Sequence, residues 1–174
     1  MKHHKKILTA SLLIATSYAG IVAAHNQTGA VGILASGAAA TDAYQVTCSN
    51  DGNGAPARLS VQVADLGVVA ADKKATLVST QIIHPQTATA SKLSEDAVDG
   101  DAIVAGQAGG FSPLITLVGG TAAANQNYIV TVNKQLTAST VAAQKGIENY
   151  NLQLHCQTAT GVHTGTNWIN TQNN

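Results

Sequence analysis

Charge and aromatic side chains are scarce in this chain of 174 residues: 10% of it is charged and 3% aromatic, with one Trp and one Phe. Long solvent-exposed helices carry many Lys and Glu, so the low charge argues against a helical protein. Cysteine is nearly absent too: Cys48 and Cys156 stand alone, and no CxxC pairing points to a redox or zinc motif. There is no GxSxG elbow and no phosphate-cradling Gly-Lys-Ser/Thr loop. No acidic pair can be read as catalytic. The sequence therefore reads as that of a non-enzymatic protein.

What fills the gap is Ala, Gly, Thr, Asn and Gln, the mixture of exported β proteins and of extracellular fibre subunits. The first residues, "MKHHKK", are basic, and "ILTASLLIATSYAGIVAA" is apolar and uncharged. Val22 and Ala24 stand at the −3 and −1 positions of a small-residue cleavage site. That order is expected of a signal peptide over 1–24, which would make His25 the first mature residue and leave no membrane span. Removing 1–24 from the 174 residues leaves 150, enough for one domain with a core. It also takes three of the nine basic residues, leaving six against nine acidic, a formal charge of −3. Neither a nucleic-acid-binding patch nor a basic membrane-surface helix fits that balance.

Residues 25–41, "HNQTGAVGILASGAAAT", read as a flexible or extended N-terminal segment, and 42–174 as the domain. Period-2 patterning recurs from there on. In "AYQVTCSN", Tyr44, Val46 and Cys48 share one face. "NDGNG" (50–54) reads as a hairpin turn, and "RLSVQVADL" puts Leu59, Val61 and Val63 together. "ATLVSTQII" (75–83) is β-rich, and "SPLITLVGG" (112–120) is apolar enough to be buried on both faces. "NYIVTVNKQ" (127–135) alternates, and "NYNLQLHCQT" (149–158) does so most cleanly. There Tyr150, Leu152, Leu154 and Cys156 point inward and Asn151, Gln153, His155 and Gln157 outward. Residues 86–111 read as long loops and 136–148 as a loop or one short helix. The pattern predicts an all-β fold, an antiparallel β-sandwich of jelly-roll kind, with a closed barrel as the alternative.

Both cysteines take the inward phase of their strands, and an exported chain meets an oxidising compartment, so one Cys48–Cys156 disulfide is expected. Four histidines follow the signal: His25, His84, His155 and His163. A terminal amine and ring on His25, joined by His155 or His163, would give copper the nitrogen ligands it prefers. His84 precedes Pro85 and takes an extended or turn position. The alternative for all four is an ordinary surface or edge histidine. "DAVDGD" offers Asp96, Asp99 and Asp101 as oxygen ligands for calcium, with an incomplete ligand set.

Taken together, "TDAYQVTC", "LSVQVADL", "NYIVTVNK" and "ENYNLQLHC" resemble the strand layout of bacterial pre-peptidase C-terminal-type domains over residues 42–157. Those are small secreted β-sandwiches. The resemblance implies an accessory or binding module and transfers no catalytic residue. The "HC…HTGT" ending departs from that pattern, and no peptidase is attached. The expected role is thus structural or binding, in the periplasm or outside the cell, on a protein or surface partner. Residues 29–40 are small and apolar enough to self-associate by strand addition. The competing expectation is a periplasmic copper-binding protein led by His25.

Overall fold

The structure, a computed structural model, describes residues 25–32, 40–66, 76–98, 110–120, 125–136 and 147–174. The expected signal peptide over 1–24 lies outside the described residues, as does 137–146 of the expected loop or helix.

Among the described residues, ten strands form two sheets. They are β1 (His25–Val31), β2 (Thr41–Ser49), β3 (Arg58–Leu66), β4 (Thr76–His84), β5 (Thr89–Ala90), β6 (Ser94–Glu95), β7 (Ile115–Val118), β8 (Asn125–Leu136), β9 (Glu148–Gln157) and β10 (Gly165–Gln172). One sheet runs β1-β9-β3-β7; the other runs β10-β2-β8-β4-β5, with β6 also on β4. All pairings are antiparallel. The sheets stay separate, so the fold is a sandwich and not a closed barrel. Leaving out β6 and β10, the first, eighth, third and sixth strands make one sheet and the second, seventh, fourth and fifth the other. That is the strand order of a jelly roll, with β10 added beside β2.

Period-2 sequence explains the strands. In β9 the burial alternates without a break: Glu148, Tyr150, Leu152, Leu154 and Cys156 are buried and the residues between them are half-exposed. The two inward faces meet in one core with Tyr44, Val46, Val61, Val63, Ile82, Tyr128, Val130, Val132, Tyr150, Leu152 and Leu154. Three tyrosines, Tyr44, Tyr128 and Tyr150, are its bulkiest members. Cys48 of one sheet and Cys156 of the other are joined by the expected disulfide, with Cα atoms 5.4 Å apart.

Several local expectations change. Residues 25–31, set apart as flexible or extended, form β1 and belong to the sandwich, with Val31 fully buried. The "SPLITLVGG" run is not buried on both faces. Its strand β7 is a sheet edge, and Leu114 and Val118 are 58% and 65% exposed. "NDGNG" is not a hairpin, since β2 and β3 lie in different sheets; it arches from one to the other. Asn50 Oδ1 accepts from the backbone N–H of Gly52 and of Gly54 there, and Asp51 Oδ1 from that of Asn53. Within the expected loops of 86–111, β5 and β6 pair with β4.

Candidate functional site

The described histidines other than His84 gather at one end of β9. Past His155 the chain turns through 158–162, with Gly161 at a φ of 88°, which suits a residue without Cβ. It returns so that His163 pairs with Gln157 as an isolated antiparallel bridge. Residues directly opposite share a face, and so do residues two apart on a strand. His155 and His163 are therefore diagonal neighbours on the outer face of the four-stranded sheet. Their rings stand edge to face with centroids 4.6 Å apart, and His155 Nδ1 lies 3.1 Å from His163 Nε2. One of these nitrogens donates and the other accepts.

Burial, then the nearby His163 and His25, push the His155 ring down to about 4. His163 is lowered by burial and by His25. His25 acts on both because β1 lays it opposite Leu154, one residue from His155. That pairing gives His25 the phase of Leu154, facing the other sheet. Its ring packs edge-on against Trp168 of β10, with centroids 5.5 Å apart. Trp168 Nε1 donates to Gln27 Oε1 at 3.0 Å, so the indole ties the edges of the two sheets together. The sequence-selected trio is thus neighbourly but split: two rings converge on the outer face and the third serves the seam. Among the described residues no group of three or more His, Cys, Asp or Glu is arranged to hold a metal ion.

His84 is buried, not a surface or edge histidine. Its Nδ1 pairs with Thr87 Oγ1 at 2.7 Å and its Nε2 with Gln126 Oε1 at 2.9 Å. Both nitrogens are engaged, so it offers no free ligand. The calcium expectation also changes at Asp96, which is buried. Its Oδ2 accepts from Asp65 N–H at 2.7 Å and its Oδ1 from Val98 N–H at 3.2 Å. Those bonds explain Asp96 as a fixture between β3 and the β6 loop. Asp99 and Asp101 lie outside the described residues.

Sequence reading missed a polar chain at the other end of β9. Tyr150 donates to Asp42 Oδ2 at 2.6 Å, and its hydroxyl is 2.5 Å from that of Tyr44. Since Tyr150 has one proton and gives it to Asp42, Tyr44 must be the donor to Tyr150. Burial, then the bonds to Asp42 and Tyr44, raise Tyr150 far above the usual phenol range. Asp42 Oδ1 also accepts from Asn174 N–H at 2.9 Å, and Asn174 O accepts from Gly32 N–H. The signal was present in the sequence: a tyrosine on the inward face of a strand usually finds a partner for its hydroxyl.

Comparison with protein-family models, with curated proteins and with solved structures found no match to this chain. No helix among the described residues is long and apolar enough to cross a membrane. The disulfide fits an oxidising, non-cytoplasmic compartment.

Proposed function

We propose that this chain is an exported, non-enzymatic structural or binding module that associates with further copies of itself by strand addition. The observation that carries the reading is β1. It is an edge strand of seven residues, "HNQTGAV", with no Lys, Arg, Asp, Glu or Pro. Edge strands usually carry charge or proline because their open backbone groups pair with any strand that meets them. The edge beside it in the other sheet, β10, is equally uncharged and proline-free, and Ile169 on it is 57% exposed. Among the described residues, one side of the sandwich thus presents two edge strands without charge or proline. The resemblance of 42–157 to secreted accessory sandwiches implies an accessory or binding module and does not bear on self-association.

The test is self-association, followed by light scattering across a range of concentrations. Wild type is expected to form assemblies that grow with concentration. Thr28→Lys, which places a charge at an exposed position of β1, is expected to shift them towards monomer. A wild type that stays monomeric throughout would sink the reading.

A second reading is copper binding through a mature N-terminal His25 and a partner histidine. It rests on the register that sets His25 opposite Leu154, next in sequence to His155.

A further inference from the structure

We propose that His155 and His163 form a two-imidazole site for a borderline divalent transition-metal ion, with Cu(II) bound most tightly, on the outer face of the four-stranded sheet. The site does not depend on His25 or on the removal of residues 1–24.

Geometry is the first support. Two nitrogens each about 2.0–2.1 Å from one metal ion, at angles between square and tetrahedral, are roughly 2.9–3.4 Å apart. His155 Nδ1 and His163 Nε2 are 3.1 Å apart. The pair already has the span of adjacent ligands, so binding requires ring rotation and no rearrangement of the strands. Its position is fixed by backbone pairing on both sides. His155 lies opposite Ser60 of β3, and the residue after His163, Thr164, gives its N–H to Cys156 O and its hydroxyl to Ser49 O at 2.7 Å. A pair held in this way loses little conformational freedom on binding.

Donor chemistry is the second support. An imidazole ligand must present an unprotonated nitrogen. In the hydrogen-bonded pair one of the facing nitrogens carries a proton. When a metal enters, that ring moves the proton to its other nitrogen, and no net proton need leave. The cation on this face, Arg58, directs its Nε to Gln157 Oε1 at 3.0 Å and not to the imidazoles. Imidazole donors and no thiolate or carboxylate favour copper over calcium or magnesium, and the divalent series places Cu(II) first.

The experiment is calorimetric titration of Cu(II) into the purified, oxidised protein, with electron paramagnetic resonance of the complex. One ion per chain is expected, with hyperfine coupling to two imidazole nitrogens. His155→Ala and His163→Ala should each weaken binding roughly tenfold or more by removing one of two ligands. His25→Ala should leave it nearly unchanged. Absence of saturable binding, or a wild-type spectrum without imidazole coupling, would overturn the proposal whatever the variants do. Binding lost in His25→Ala and kept in His163→Ala would also overturn it, in favour of a site led by His25. Monomer–oligomer measurements on the same samples report separately on strand addition.

Discussion

The Tyr150 hydroxyl donates to Asp42 Oδ2 at 2.6 Å, joining β9 of one sheet to β2 of the other inside the core. Tyr150→Phe keeps the ring and removes the donor, leaving a buried carboxylate oxygen and the Tyr44 hydroxyl short of a partner. It is expected to cost about 1–3 kcal/mol. Urea unfolding measures this. A midpoint equal to wild type would show that the chain of hydroxyls contributes nothing net.

The disulfide spans 108 positions of sequence. Closing a loop of that size restricts the unfolded chain by up to about 4–5 kcal/mol in the entropy model. Reduction, or Cys156→Ala, is expected to lower stability by a large part of that, and the native protein should show no free thiol. Free thiols in native protein from an oxidising compartment would contradict the pairing.

Adjacent positions of β9 should respond in opposite ways. Leu154 is fully buried, so Leu154→Asp places an unpaired charge in the core and is expected to prevent folding. Gln153 is half-exposed and accepts from Gln62 Nε2, a bond that an aspartate can also accept, so Gln153→Asp should fold. Circular dichroism of the two variants distinguishes them.

Gly29 lies so close to Tyr150 that a Cβ on it would sit 2.3 Å from the ring. Gly29→Ala must therefore push β1 outward or turn the tyrosine, at a cost of roughly 1–3 kcal/mol. Hydrogen exchange should report the loss first in β1, with β2 and β8 retaining protection. Unchanged protection in β1 would mean that the strand does not rest on Tyr150 as described.

The histidine pair sets a pH dependence. His155 titrates at about 4 in the fold against an ordinary value of 6.5. Between these values the unfolded chain binds more protons, so stability rises with pH. The contribution is complete above 6.5 and disappears as pH falls through about 4. His163 shifts in the same direction and adds to the slope. Unfolding curves between these limits should be steeper in pH for wild type than for His155→Gln; equal slopes would refute the shift.

How much of this was legible in the sequence depended on whether the signal was local. Strand β9 was readable residue by residue because alternation within one strand reports directly on its two faces. The same phase aligned Cys48 with Cys156. Strand β7 was misread because an apolar run says nothing about whether a neighbour pairs on its far side. "NDGNG" was misread because the same Asx and glycine chemistry turns a hairpin or arches between sheets. His155 and His163 are legible as a converging pair from sequence. Their even spacing of eight brackets "TATG", and a reversal there returns both to one face. The split of His25 from that pair was not legible, since it follows from the register of β1 on β9.

The order in which the strands alternate between sheets has a kinetic consequence. β1, β2, β3 and β4 fall in opposite sheets in turn, as do β7, β8, β9 and β10. One of the two central strands of the four-stranded sheet, β9, binds partners from the first third of the described chain. Folding of such a topology is limited by loop closure and runs in milliseconds to seconds where helical bundles take microseconds to milliseconds. Cys48 must wait, unpaired, until β9 has been synthesised and docked. Its oxidation is therefore a clock for the docking of β9, and a thiol trapped in a nascent chain marks a sandwich in which β9 has not yet joined its sheet.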